Sequence, residues 1–227
     1  MKKLIFTLLA LVTLAGTACA EINNALPAPS WRYKMTVTVE TPEGLKTGSA
    51  VREVWVEKAP PNTSASFNHN HVKGEAVAVD LGKRGVLFAV MRDGLRGPDA
   101  GWAIVYNALP FTDPQGNGSQ GMTTDEIIDH YSHLKSAKAV LTPEQYPVMV
   151  RFKDPQDPKT VEAVYTAEHH DARDAEGGYL GQKFRITDHV EDAFGKGVKI
   201  KEVMIEMAQE PVTTGVSWSP LICWHSA

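Results

Sequence analysis

Three groups of histidines and carboxylates in this chain have spacings that metal sites use. In His69-Asn70-His71, an extended backbone would set both imidazoles on one face, with Glu75 or Asp80 near enough in sequence to complete a ligand set. On a helix, Glu126 to His130 and Asp129 to His133 fall at i,i+4, and His130 to His133 at i,i+3, so four side chains could approach one ion. Glu168-His169-His170-Asp171, followed by Asp174 and Glu176, is the densest run of ligand types. Each group also has a plainer explanation. Pro, Ser and Asn around His69 and His71 read as a surface loop, the helix must turn some polar face to water, and consecutive residues before Gly177-Gly178 read as a solvated loop. The surface reading is the expected one for all three. The metal reading would make the chain a periplasmic metal-dependent hydrolase drawing on some of His69, His71, His130, His133, His169 and His170.

Other motifs carry less. Gly116-Asn117-Gly118-Ser119-Gln120-Gly121 is a literal G-x-G-x-x-G, but a dinucleotide site needs a strand directly before it and a helix directly after, and here Leu109 to Gln115 intervenes with two prolines. A loop is expected. Gly215-Val216-Ser217-Trp218-Ser219 lacks the last glycine of a nucleophile elbow. The chain contains no His-Glu-x-x-His, Walker loop or Cys-x-x-Cys. No cofactor and no catalytic residue is therefore assigned, and a non-enzymatic role is favoured.

The N-terminus speaks to location. Lys2 and Lys3 precede a charge-free apolar run, Leu4 to Ala15, and then small residues, the layout of a secretory signal with a bacterial-looking start. The run is too short to span a bilayer, which takes about 20 apolar residues. Ala18-Cys19-Ala20 fits ordinary cleavage before Glu21, while Thr17-Ala18-Cys19 resembles a lipobox that would acylate Cys19, with Gly16 where a large aliphatic is usual. Ordinary cleavage is expected, giving a signal peptide over 1–20, a leader over 21–30 and one domain over 31–227; lipidation at Cys19 would make a membrane-anchored lipoprotein instead. Either route leaves Cys223 without a thiol partner, and a buried structural role beside Ile222 and Trp224 is expected for it. The 27 acidic residues exceed the 23 basic ones, by more once Lys2 and Lys3 are removed, which argues against a nucleic-acid or anionic-membrane partner.

These features need elements to position them. Trp31, Tyr33, Met35, Val37 and Val39 alternate with polar residues, a half-buried strand, and Thr41-Pro42-Glu43-Gly44 is turn chemistry leading to a return strand over Leu45 to Glu57. That strand loses phase at Arg52-Glu53, so a bulge is expected there. Ala59 to Lys73 reads as a loop. Gly74 to Leu81 and Val86 to Met91 form a second hairpin whose return strand, apolar on both faces, is central. Trp102 to Tyr106 adds a strand. Thr123 and Glu126 make a capping box before a helix with Ile127, Ile128, Tyr131 and Leu134 on one face. Tyr146 to Phe152 is a strand, Asp154 to Pro158 a turn, Thr187 to Phe194 a short helix closed by Gly195, and Val198 to Met207 a strand bulged at Lys201-Glu202. Hairpins with isolated helices and no βαβ rhythm define α+β with a largely antiparallel, hairpin-built sheet and a few short helices.

The segments "VETPEGLKTGSAVREV", "GEAVAVDLGKRGVLFAV" and "FGKGVKIKEVMIEMAQEPVTTG" resemble a family of small exported bacterial proteins, uncharacterised, some of them lipoprotein-like. No activity comes with the resemblance. The family closes in a Leu-Pro-Trp-Leu-like tail where this chain ends "WSPLICWHSA", which bears on how the C-terminus packs. The sequence thus leads to an exported cell-envelope protein that binds an envelope or secreted protein partner through a sheet edge or a loop.

Overall fold

A computed structural model describes residues 29–57, 69–91, 101–111 and 123–214. The signal and lipidation readings at Cys19, the glycine motif at 116–121, the Gly215 to Ser219 stretch and Cys223 lie outside these residues, as do the side chains of His69 and His169. The architecture is α+β and sheet-dominated, with two five-stranded sheets whose ladders are antiparallel. Sheet A runs β3 (His69–Lys73), β2 (Gly44–Glu57), β1 (Ser30–Thr41), β10 (Lys199–Ala208), β6 (Lys138–Val140). Sheet B runs β4 (Val77–Asp80), β5 (Val86–Ala89), β7 (Met149–Phe152), β8 (Val161–Arg173), β9 (Tyr179–Asp188). The helices are α1 (Gly101–Ala108), α2 (Thr124–His133) and α3 (Val190–Phe194).

Strict alternation makes β1 the centre of sheet A. Tyr33, Met35, Val37 and Val39 are fully buried, and they join Val77, Val79, Leu87, Met149 and Tyr165 of sheet B in one core cluster. Burying a large apolar side chain contributes roughly 1.5–3 kcal/mol. Val37→Asp would set an unpaired charge in that core, whereas Thr38 is half-buried and points to the other face. Thermal melts should therefore show Val37→Asp unfolded or many degrees less stable, with Thr38→Asp shifted by only a few degrees; equal shifts would overturn the register.

The first hairpin turn is held from inside and outside. Thr41 Oγ1 donates to the Gly44 carbonyl at 2.8 Å, Gly44 takes φ of 114°, and Arg84 grips both oxygens of Glu43, at 3.1 and 2.8 Å. The same guanidinium donates to the Phe194 carbonyl at 2.9 Å, tying the turn to the end of α3. Its pull on the Glu43 carboxyl is the largest of the causes that lower that pKa to about 2.

Several sequence expectations need correction. No bulge interrupts β2 at Arg52-Glu53, because its pairing with β1 runs unbroken from Ser30↔Trp55 to Thr41↔Gly44. The apparent phase break arises because Arg52 sits on the core face with 0 % exposure. The bulge in β10 does occur: Thr38 pairs with Glu202 and Val39 with Ile200, leaving Lys201 as the extra residue. Residues 69–73 are strand β3 rather than loop, since Val72 pairs with Val54 and packs against the core. Trp102 to Tyr106 lies in a helix, α1, not a strand. A short apolar run cannot be told from a buried helical segment by periodicity; here Gly101, Ala103, Ile104 and Val105 are buried, and Tyr33 donates its hydroxyl to the Gly101 carbonyl at 2.8 Å. The helix expected from Thr187 begins only at Val190, because Thr187 and Asp188 still pair in β9 and Asp188 accepts the Val190 N–H at 3.0 Å. The solvated loop expected around Glu168 to Asp171 is instead part of β8.

Candidate functional site

Among the described residues the histidine groups do not converge. On β3, His71 stacks on Trp55, with ring centroids 5.1 Å apart, and its Nε2 lies 3.0 Å from a Glu57 carboxylate oxygen, while position 69 pairs with Glu57 in the register. On α2 the capping box forms as expected, so Glu126 is occupied at the N-terminus by the Thr123 N–H and hydroxyl at 2.8 and 2.9 Å. His133 pairs with Asp129 at 3.2 Å, out in solvent, and His130 turns aside to pack its ring against Phe111, with centroids 4.2 Å apart and the planes tilted by 58°. On β8 the strand period sends Glu168 and His170 to one face, where both are exposed. Among the described residues, no three His, Cys, Asp or Glu side chains come together in a geometry to hold a metal.

Desolvation lowers the pKa of His130, opposed by the charge of Asp129. The sign follows from linkage: stability from keeping this ring neutral is complete above the ordinary value of 6.5 and is lost as the pH falls from there toward the lowered folded value. The double change His130→Ala with His133→Ala should leave fold and metal content unaltered and flatten part of the acid-side loss of stability, which melts between pH 7.5 and 5 would record.

Arg52 is the most unusual polar residue in the core. Its Nε donates to the Glu75 carbonyl at 3.1 Å and its Nη2 to the Ala89 carbonyl at 3.0 Å, while Nη1 faces the Tyr33 hydroxyl at 3.5 Å and the Met35 sulfur at 3.7 Å. Among the described residues no carboxylate pairs with it. The guanidinium fork spans both sheets and is closed to solvent, so it clamps the fold and is out of reach of a ligand.

A cleft of about 240 Å³ opens beside the start of β1, lined by Trp31, Arg32, Glu53, Tyr131, Leu134 and Gln209 among others. Trp31 stacks on Tyr131 at 5.4 Å, and its Nε1 is the buried side-chain polar atom without a partner among the described residues. That atom is closed to solvent, although the Trp31 side chain lines the cleft. Arg32 and Ser30 already converge on one Glu53 oxygen, at 3.3 and 2.8 Å. Burial raises the Tyr131 hydroxyl to about 12, which makes it a poor acid or base near neutrality.

The β8–β9 hairpin is exposed along most of its outer half. β7 pairs with β8 only from Val161 to Tyr165, whereas β9 follows β8 from Tyr165 to Arg173, so the hairpin leaves sheet B as a two-stranded ribbon. Its turn closes with the Asp174 N–H donating to the Gly178 carbonyl at 2.9 Å and Gly177 at φ 87°. β9 ends the sheet, with no strand on its outer side among the described residues. Phe184 and Ile186 are 42 % and 41 % exposed. Ile186 stands opposite Ala167, a core residue, so this apolar strip continues the core face of sheet B out into solvent. Lys183 and Arg185 occupy the other face, exposed, opposite His170 and Glu168. The sequence reasoning missed this hairpin because charges crowd both faces of β8; the signal it offered was the alternation Lys183-Phe184-Arg185-Ile186 after the Gly177-Gly178 turn.

Comparison with family models, curated proteins and solved structures finds no match. Among the described residues no helix is long and apolar enough to cross a membrane.

Proposed function

We propose that this chain is an exported, non-catalytic binding module of the cell envelope that engages a protein partner along the outer edge of β9. The observation that carries the reading is the ribbon itself: a ten-residue strand that ends its sheet, with no backbone partner on its outer side among the described residues and two large apolar side chains exposed on one face. Such an edge is a template for strand addition, in which main-chain hydrogen bonds supply affinity and alternate side chains supply selectivity. Globular proteins usually blunt such edges by shortening, bulging, covering or charging them, and Lys183 and Arg185 charge one face of this one. Here the bulge between Ala172 and Arg173 lies near the turn, leaving the stretch from Gln182 to Asp188 regular. Export is supported by the Lys2-Lys3 leader and its apolar run.

The reading is tested by placing a photo-crosslinking residue at Lys183 or, as control, at exposed Lys201 on the other sheet, in cells expressing the full chain. A discrete adduct in the envelope fraction from position 183 alone, lost when Ile186→Asp is added, is expected. Equal labelling from both positions, or an adduct indifferent to Ile186→Asp, would overturn it.

A further inference from the structure

We infer that the segment accepted by β9 is an extended peptide in which acidic and apolar residues alternate; this rests on the edge reading above and adds the chemistry of the partner. A strand added to β9 must place successive side chains on opposite faces, each beside its cross-strand neighbour. On one face those neighbours are Phe184 and Ile186, and on the other Lys183 and Arg185. Among the described residues no ion pair neutralises either cation, although Glu168 stands across from Arg185 in the register. Carboxylates opposite Lys183 and Arg185, with valine-like or aromatic side chains opposite Phe184 and Ile186, satisfy both faces together. A basic segment meets like charges directly opposite, and a uniformly apolar one covers two cations with nothing to pair them.

A second copy of this chain fits less well. In antiparallel self-pairing centred on Phe184, Lys183 would oppose Arg185, and centred on Arg185, that residue would oppose itself; both registers set cation against cation in the middle of the strand. Gly181, at φ 100° beside the bulge, ends the regular ladder on one side, so pairing is confined to the stretch that carries the alternation.

The test uses three fluorescent peptides of equal length binding to the full chain: one alternating Glu and Val, one with Lys in place of Glu, and one with the Glu and Val residues regrouped into blocks. The alternating acidic peptide should bind about tenfold or more tightly than either other, from two cross-strand charge pairs and a matched apolar face. It should weaken with added salt. Lys183→Glu with Arg185→Glu, both at exposed positions, should invert the preference between Glu and Lys peptides while the circular dichroism stays unchanged. Equal binding of all three peptides, no binding of the acidic one at millimolar concentration, an unchanged order in the charge-reversed variant, or sedimentation of the chain alone as a dimer abolished by Ile186→Asp would each overturn the inference. A Lys183 cross-link in cells combined with indifferent peptides would sink the partner chemistry alone, whereas loss of that cross-link would sink the edge reading beneath it.

Discussion

Arg52→Ala is expected to lower stability by about 3–5 kcal/mol, on the order of 10 °C in melting temperature for a chain of this size. The substitution removes the donors that satisfy the Glu75 and Ala89 carbonyls and empties a fully buried volume between the sheets. Arg52→Lys keeps the charge yet offers a single ammonium in place of a planar fork, so it cannot hold both carbonyls and should recover less than half of the loss. Arg52→Met separates volume from hydrogen bonding: it refills the space and leaves the carbonyls bare, which should place it between wild type and alanine. Urea denaturation of the three variants measures this order. A methionine variant as stable as wild type would mean that the desolvation cost of the cation cancels what its hydrogen bonds return.

Gly48→Ala should be nearly as damaging for a different reason. Gly48 lies mid-strand in β2, opposite Val37, and a Cβ built there would stand 2.0 Å from the Ala78 carbonyl oxygen and 2.8 Å from its carbon. Both atoms are backbone of β4, so no rotamer relieves the clash and the two sheets must part at this corner. A loss of about 3 kcal/mol or more is expected, since overpacking against soft side chains alone typically costs 1–3 kcal/mol. Gly44→Ala is the control: it has φ of 114° and nothing within 4 Å, so it should bear only backbone strain of about 1–3 kcal/mol. A Gly48→Ala protein that melts like wild type would contradict the backbone contact between the sheets.

Arg52 marks the border between what this sequence discloses and what it withholds. The faces of β1 were legible because every second residue is apolar, and the α2 cap because Thr123 and Glu126 have a local geometry that needs nothing else from the fold. Arg52 broke the pattern of β2, and a local reading turned that into a bulge, because the carbonyls that justify a core guanidinium lie 23 and 37 residues downstream. Helix α1 was read as a strand for a related reason. Its run of apolar residues suits either state, and the decision is made by Tyr33 and Val72 pressing on Gly101. The candidate site was the least legible feature. Its histidines suggest chemistry from spacing alone, but ring contacts and ion pairing send His71, His130 and His133 to separate places, while the β9 edge is defined by strand order, which no local pattern encodes.

Residue-resolved amide hydrogen exchange of the isolated full-length protein tests the open edge most directly. Between Gln182 and Asp188, amides that bond to β8 should be protected and the alternate ones, which point outward, should exchange at least a hundredfold faster, on the order of 3 kcal/mol in protection. Every amide in the centre of β1, paired on both sides by β2 and β10, should be slow. Uniform slow exchange along β9 would mean that its outer edge is already covered, and the binding role assigned to it would be contradicted.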